Sequence, residues 1–340
     1  RKRCENEVLG YTGKPDSYYN AIINWVKQRY DLVVAKEMIN FVPGIVPGIG
    51  MAMNCFTQKG DKVMIQPPVY HPFAWVTTRN ERTLVTNPLK WENGMYRMDL
   101  DAFRELIKGC KLFILCNPHN PGGVVWTEAE LRAIADICYD EKVLVFSDEI
   151  HADLTLPPHT HRPFATVSEK ARMNSVTFMS PSKAFNMPGL SASHALIFNE
   201  DLRKRFRIYM DAGELDMGHV FAFLSVEAAY SHGTEWLDQC LAYIQGNIDF
   251  VDDFLKNHAP KIKAIRPEAS YLVWLDCREL KLSQKDLNEF FVDKAHLALN
   301  DGEMFGKEGI GFMRLNVASP RCIIEKAMKQ LADAYQLYIK

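Results

Sequence analysis

Three polar side chains of different chemistry each follow a short apolar run: Asn120 after residues 112–115, Asp148 after 143–146 and Lys183 after 176–179. Short, nearly all-apolar runs are typical of strands that are buried on both faces of a parallel sheet. In open parallel sheets, ligands bind beyond the carboxyl ends of the strands. We therefore expect an amide, a carboxylate and an amine to share one edge of a sheet.

This set of groups suits a pyridoxal phosphate (PLP) site. Lys183 would bind the cofactor covalently, Asp148 would hold a proton on the pyridine nitrogen, and Asn120 would bind the ring hydroxyl. Alone, Asp148 could be a turn residue and Lys183 a surface lysine. Their matching positions favour the cofactor site. The Ser-x-x-Lys spacing also occurs in penicillin-recognising enzymes, but this chain has Ser-Asp-Glu and no Lys-Thr-Gly as the required partners.

Further residues could complete such a site. The turn at residues 44–46 precedes a predicted helix, so the amides of Ile45 and Val46 could bind a phosphate. Hydroxyl groups that could help are those of Ser180 and Ser182. Tyr70 follows a predicted strand and could stack on the ring, although a buried aromatic residue would fit the same pattern.

Arg314 lies in the middle of an apolar segment, where a charge needs an explanation. A guanidinium that binds the α-carboxylate of a substrate would provide one, whereas an edge-strand arginine facing water is the alternative. His151, His159 and His161 suggest a metal, but no cysteine or carboxylate completes the set, so we predict no metal site. His151 is expected to face the cofactor instead.

The whole chain sets further limits on function. Its 340 residues carry a net charge of −2 without a basic block, which argues against a nucleic-acid partner. No apolar run is long enough to cross a bilayer. The eight cysteines are scattered, which favours free thiols and a reducing, cytoplasmic location. A small amino-acid substrate is consistent with these features.

The order of predicted elements indicates an α/β fold. Strand, helix and strand follow one another over residues 112–147, with a capping box at Thr127 and Glu130. Another strand follows at 176–180, which predicts a mostly parallel central sheet with helices on both faces. An earlier helix at about residues 17–29 is expected to be capped by Asp16.

The pattern changes after about residue 245. A strand at 271–275, a helix after Ser283, a strand at 312–317 and a last helix after Pro320 predict a smaller α+β domain. We therefore expect a large cofactor-binding domain at residues 1–245 and a small C-terminal domain at 246–340.

Six segments resemble fold-type-I PLP enzymes: residues 41–46, 67–73, 117–122, 147–154, 180–190 and 312–316. More narrowly, they are similar to the MalY/PatB-type cystathionine β-lyases, which are carbon–sulfur lyases of the class I/II aminotransferase superfamily. Such enzymes begin with a further segment, about fifty residues in length, that we expect to be missing from the sequence as given.

The resemblance assigns a role to each candidate residue. It implies that Lys183 binds the cofactor and shuttles protons, with Asp148 on the pyridinium, Asn120 on the ring hydroxyl and Tyr70 on the ring face. It places the amides of Ile45 and Val46, with Ser180, on the phosphate, and Arg314 on the substrate carboxylate. It also implies a homodimer in which Tyr11 reaches the neighbouring phosphate. Ser191 stands where many aminotransferases carry a phosphate-binding arginine.

The function that this resemblance implies is β-elimination from L-cystathionine or cysteine S-conjugates, which yields a thiol, pyruvate and ammonia. Two alternatives remain open. The same groups could serve an aminotransferase, because fold and catalytic residues alone do not separate the two reactions. The chain could also be a lyase with an added regulatory binding role.

Overall fold

The computed structural model describes residues 2–338, which form eleven α-helices and thirteen β-strands. The helices are α1 (Asp16–Tyr30), α2 (Ile45–Phe56), α3 (Pro72–Arg79), α4 (Leu100–Leu106), α5 (Glu128–Asp140), α6 (Glu169–Met173), α7 (Glu200–Asp211), α8 (Val220–His232), α9 (Thr234–His258), α10 (Gln284–Glu289) and α11 (Arg321–Tyr338). The strands are β1 (Ile39–Val42), β2 (Lys62–Ile65), β3 (Thr83–Thr86), β4 (Lys90–Glu92), β5 (Met95–Arg97), β6 (Cys110–Cys116), β7 (Leu144–Asp148), β8 (Ser175–Met179), β9 (Ser193–Leu196), β10 (Lys263–Ile265), β11 (Leu272–Asp276), β12 (Asn300–Asp301) and β13 (Phe312–Asn316).

Seven strands form the central sheet, in the order β1-β9-β8-β7-β6-β2-β3. Strands β3, β2, β6, β7 and β8 are parallel, and β9 runs antiparallel to both β8 and β1. The apolar runs of the sequence are the central strands β6, β7 and β8, which are almost entirely buried. The predicted mostly parallel α/β sheet is confirmed.

Helices cover both faces of this sheet, and alternate residues of β6 show why. Phe113 and Leu115 belong to the apolar cluster that includes α4 and α5. Leu112 and Ile114 point to the opposite face and belong to the cluster that includes α2 and α7. Because successive side chains of a strand alternate between faces, each face needs its own helical layer. Because helices cover the two faces, the carboxyl ends of the strands are bordered by loops.

The C-terminal part contains an antiparallel sheet with the order β10-β11-β13-β12. Its inner residues pack with α9 and α11, which agrees with the predicted small α+β region. Helix α9 runs without interruption through residue 245. The boundary expected at residue 245 thus falls inside α9, and the division into parts at 1–245 and 246–340 stays a proposal.

Helix starts show which local predictions hold. At α5, the Thr127 hydroxyl accepts from the Glu130 amide at 3.2 Å and the Glu130 carboxylate accepts from the Thr127 amide at 2.9 Å, so the capping box is confirmed. The prediction for α1 is wrong, because Asp16 is the first helical residue and Pro15 occupies the cap position. The Asp16 carboxylate pairs with Lys36 instead. Within residues 2–338, no helix combines the length and apolar character needed to span a bilayer.

Candidate active site

The three central strands bring their polar loops to the same level of the sheet. Cys116 at the end of β6 pairs with Asp148 at the end of β7, and Asp148 pairs with Phe178 of β8. The segments that follow these strands carry Asn120 and Lys183. All three predicted side chains line one cavity of about 440 Å³. The predicted residues that also line it are Ile45, Val46, Tyr70, His151, Ser182 and Arg314.

Asp148 is buried at the floor of this cavity, with only 3% of its surface exposed. Its Oδ1 accepts a hydrogen bond from the Ile150 amide at 3.1 Å. The pKa of the carboxyl group is raised to about 7: burial raises it most and the charge of Glu149 adds to this, whereas the Ile150 amide and Lys183 oppose it. A protonated ring nitrogen facing this carboxylate would compensate for the desolvation of its charge.

Lys183 is half-buried in the same cavity. Burial lowers the pKa of its amine and the charge of Arg314 lowers it further, whereas Asp148 raises it. A lower pKa makes more neutral amine available, and the neutral amine is the form that attacks carbonyl carbon or accepts a proton.

Ser180 holds the segment before Lys183 in place. Its hydroxyl donates to the Ala192 carbonyl at 2.7 Å and accepts from the Ser182 amide at 3.1 Å. Ser182 lines the cavity, but Ser180 is not among the described residues that do so. The structure therefore gives Ser180 a place behind the cavity wall, and its direct contact with a phosphate stays a prediction.

The start of α2 forms the end of the cavity that could hold a phosphate. Gly44 has a φ of 126°, a conformation that favours glycine, and it leads into the free amides of Ile45 and Val46. A Cβ at Gly48 would lie 2.8 Å from the Val42 side chain, so this glycine lets α2 pack closely against β1. Neutral hydroxyl groups nearby are those of Ser182, Ser191 and Ser193.

Arg314 is a half-buried cation whose hydrogen-bond partners are neutral. Its two terminal nitrogens donate to Oδ1 of Asn120 and Oδ1 of Asn300, each at 2.8 Å, and the guanidinium lies 4.7 Å from the centre of the Phe305 ring. Burial lowers its pKa to about 10. Since β13 lies between β11 and β12, the alternative of an edge-strand arginine is wrong. This geometry suits the binding of a carboxylate.

Tyr70 and His151 lie on the remaining walls. Burial raises the pKa of the Tyr70 phenol. Burial, with smaller contributions from the charges of Lys183 and Arg314, lowers the pKa of His151 to about 3, so the ring is neutral at neutral pH. Among the described residues, the buried Nδ1 of His151 has no hydrogen-bond partner, which leaves it available to a ligand.

His161 has a structural role that the sequence did not reveal. Its Nε2 lies 2.7 Å from the buried carboxylate of Glu149, which also accepts from the Ser147 hydroxyl and the Phe164 amide at 2.8 Å each. His159 lies beside a different carboxylate, with its Nδ1 3.7 Å from Oε1 of Glu268. In residues 2–338 there is no cluster of side chains suited to hold a metal. The sequence did carry one signal for the contact of His161 with Glu149: Glu149 directly follows Asp148, and a second carboxylate at the end of a buried strand needs a partner.

Asn300 and Tyr271 also belong to the site and were missed. Asn300 meets Arg314 through the pairing of β12 with β13, and Tyr271 lines the cavity just before β11. Strand β12 has only two residues, so its sequence carries too little pattern to predict this pairing.

Tyr11 does not join the site within its own chain. Its side chain is 99% exposed and lines a different cavity, together with residues 217–221. A contact between Tyr11 and the cofactor would therefore need a second subunit, and that contact stays a prediction.

The cavity can be tested against the groups of PLP. This cofactor needs an anion cradle for the phosphate, a carboxylate for the ring nitrogen, an amide for the ring hydroxyl and an amine for the aldehyde. All four line this one cavity, and the Nδ1 of His151 has no hydrogen-bond partner among the described residues. The Oδ1 of Asn120 accepts from Arg314, which leaves its side-chain Nδ2 to contact a ligand. The residues present thus fit the cofactor.

The fold and the cavity together define the chain as a PLP-type α/β enzyme. More narrowly, it belongs to the aminotransferase class I and II family, whose model matches residues 5–331. It is 37% identical to cystathionine β-lyase PatB of Bacillus subtilis over 336 residues, or 98% of this chain and 87% of that protein.

Two solved structures are similar along almost the whole chain. One is a PLP-bound protein of Clostridium difficile 630 described as an aminotransferase, with a TM-score of 0.96, 40% identity, and coverage of 98% of this chain and 87% of that one. The other is a PLP-bound C-S lyase of Staphylococcus hominis, with a TM-score of 0.91, 33% identity, and coverage of 98% and 88%. The predictions of family and fold are therefore confirmed.

Proposed function

We propose that this protein is a PLP-dependent carbon–sulfur β-lyase that cleaves L-cystathionine or cysteine S-conjugates. The observation that carries the proposal is that Lys183, Asp148 and Arg314 line one cavity. The similarity to a cystathionine β-lyase and to a C-S lyase favours elimination over other PLP reactions. When bound, PLP withdraws electrons from the substrate α-carbon.

The residues of the chain have distinct tasks in this proposal. Arg314 binds the α-carboxylate of the substrate, and the oxygen of Asn120 holds the guanidinium in place at 2.8 Å. Lys183 is the general base that removes the α-proton. Asp148 holds the proton on the ring nitrogen, and Tyr70 packs against the ring face. The amides of Ile45 and Val46 bind the phosphate.

The reaction breaks the Cα–H bond and the Cβ–S bond. The α-proton goes to the amine of Lys183, and the sulfur leaves as a thiolate that takes up a proton. The remaining three-carbon enamine is hydrolysed, so that one water per substrate gives pyruvate and ammonia. A thioether and one water thus yield one thiol, one pyruvate and one ammonia.

An aminotransferase is the second candidate, because a solved structure with 40% identity is described as one. The two reactions differ in their need for an oxo acid. Purified holoenzyme is incubated with L-cystathionine or S-benzyl-L-cysteine without an oxo acid, and both pyruvate and free thiol are measured. We expect equal amounts of the two products, and none from Lys183→Ala. Product formation that depends on added oxo acid would contradict the lyase.

We also propose a homodimer in which Tyr11 contacts the partner's phosphate site. Exposed Val8, Leu9 and Tyr11 lie close together in the chain and favour burial against another protein surface. Tyr11→Ala and Lys183→Ala proteins are mixed after dissociation. Random dimers should regain about a quarter of wild-type activity, because half are mixed and each mixed dimer has one intact site. No recovery would contradict the shared site.

A cytoplasmic location remains part of the proposal. All eight cysteines are free thiols in the structure, which suits a reducing compartment. Titration of the denatured, unreduced protein should find eight thiols. A lower number would argue for disulfides and against this location.

A further inference from the structure

A second cavity of about 400 Å³ opens beside Lys183. It shares Lys183, Tyr271 and Asn316 with the first cavity, so the two are adjoining spaces with a common wall. Its other walls are mainly apolar and aromatic, and include Leu154, Trp236, Cys240, Tyr243, Ile244 and Pro320.

The aromatic walls are held in position by neighbouring groups. Trp236 stacks on Phe185, with ring centres 5.8 Å apart and an interplanar angle of 26°. The Tyr243 hydroxyl accepts a hydrogen bond from the Arg321 amide at 2.6 Å. Burial raises the pKa of the Cys240 thiol, which keeps it uncharged. Trp236 and Tyr243 are each 51% exposed, and contacts outside the cavity hold both of them against it.

Charge is nearly absent from these walls. Of the described residues that line the cavity, only Lys183 carries a charged side chain. The Arg321 guanidinium is engaged elsewhere, because its Nε donates to Asn247 at 2.8 Å and its centre lies 4.8 Å from the Phe250 ring. A cationic group placed here would meet no opposite charge, and an anionic group would meet only the amine of Lys183, which the proposed chemistry already uses.

The position of this cavity fits one part of a thioether substrate. With its carboxylate on Arg314 and its α-carbon at Lys183, the substrate carries its sulfur two bonds beyond the α-carbon. The residues assigned to the ring and phosphate, among them Asp148, Asn120 and Ile45, line only the first cavity. The second cavity is the space beside Lys183 that the cofactor does not need.

We propose that this second cavity is a thiol subsite that binds the sulfur substituent and selects uncharged alkyl or aryl thiols as leaving groups. The inference rests on the proposed β-lyase function and refines it. Homocysteine, the leaving group of L-cystathionine, carries an ammonium and a carboxylate that the subsite would have to desolvate. A benzyl or alkyl thiol would instead bury apolar surface against Trp236 and Tyr243.

The first test uses the wild-type holoenzyme. The value of kcat/KM, from pyruvate release, is measured for S-methyl-, S-ethyl-, S-propyl- and S-benzyl-L-cysteine and for L-cystathionine. Each added methylene should raise kcat/KM by up to about fourfold. S-benzyl-L-cysteine should exceed L-cystathionine by about tenfold or more. A higher value for L-cystathionine than for the benzyl substrate would overturn the subsite.

The second test removes one wall. Trp236→Ala should lower kcat/KM for S-benzyl-L-cysteine about tenfold and change that for S-methyl-L-cysteine less than twofold, because a methyl group does not reach the ring. The control is Tyr139→Ala on α5, since Tyr139 is similarly exposed, at 48% against 51% for Trp236. We expect no change for either substrate in this control.

The outcomes separate the two levels of the proposal. If none of the thioethers releases pyruvate without an oxo acid, the β-lyase function fails and the subsite fails with it. If pyruvate is released but Trp236→Ala affects both substrates equally or neither, the subsite is wrong and the lyase stands.

Discussion

Arg314→Ala is the most informative single change in the site. The variant removes a half-buried cation whose two protein partners, Asn120 and Asn300, are neutral amides. No internal carboxylate is needed to explain the position of this arginine, so its removal should affect substrate binding more than folding. We expect the cofactor-free variant to have an unchanged or higher free energy of unfolding.

The size of the effect follows from the solvation that the guanidinium has lost. Burial lowers the pKa of Arg314 from its ordinary 12.5 to about 10, which corresponds to about 3 kcal/mol. A bound carboxylate can return that free energy as a charge-assisted pair. Truncation of one partner of such a pair costs about 2–5 kcal/mol. At about 3 kcal/mol, kcat/KM should fall by about 150-fold.

The assay compares two substrates that differ only in the group facing Arg314. Pyruvate or pyruvamide release is measured with S-benzyl-L-cysteine and with its carboxamide. Wild-type enzyme should strongly prefer the carboxylate, and Arg314→Ala should remove most of that preference. Arg314→Lys, which keeps the charge but loses the fork, should fall between the two. Unchanged kinetics, or an equal loss with both substrates, would refute the assignment.

Three further predictions concern Lys183, Asp148 and His161. In Lys183→Ala, borohydride treatment should fix no cofactor mass to the chain, whereas wild-type protein should gain it by mass spectrometry; a retained adduct would identify another lysine. The folded pKa of Asp148, about 7, lies above its ordinary 3.8, so its ionisation destabilises the cofactor-free fold as pH rises from about 4 to 7. The gain in unfolding free energy that Asp148→Asn gives over the wild type, measured by denaturant unfolding, should therefore be up to about 4 kcal/mol larger at pH 8 than at pH 4. A gain that does not change with pH would contradict this. His161→Phe should cost about 3–5 kcal/mol of stability, because Glu149 loses its buried partner; an unchanged unfolding midpoint would show that this pair contributes little.

The part of the molecule that could be predicted from sequence is the part with a local pattern. Strands β6, β7 and β8 are short apolar runs, and each ends just before a polar loop residue. Parallel pairing then brings these ends together, which is why Asn120, Asp148 and Lys183 share one cavity. The confirmed sheet depends on this pattern, whereas the confirmed family depends on the six segments that resemble PLP enzymes.

The rest depends on contacts between distant parts of the chain. Asn300 reaches Arg314 through a strand of two residues, and His161 reaches Glu149 from a proline-rich loop. Trp236 is half-exposed on α9, and its sequence neighbours give no sign that it borders Lys183. Asp16 was wrong as a cap because the helix already begins at this residue, and its carboxylate pairs with Lys36, twenty residues away. The propensities of neighbouring residues along the chain do not predict these pairings.

The charges of the cavity suggest how one amine can serve two tasks. In the free protein, burial lowers the pKa of Lys183 most and the charge of Arg314 lowers it as well, which favours the neutral amine needed for bond formation. A substrate carboxylate bound to Arg314 would neutralise that charge and remove its effect on the amine. The pKa of Lys183 would then rise, and the amine would become a stronger base when the α-proton has to be removed. We infer that Arg314 both orients the substrate and adjusts the basicity of Lys183 through binding.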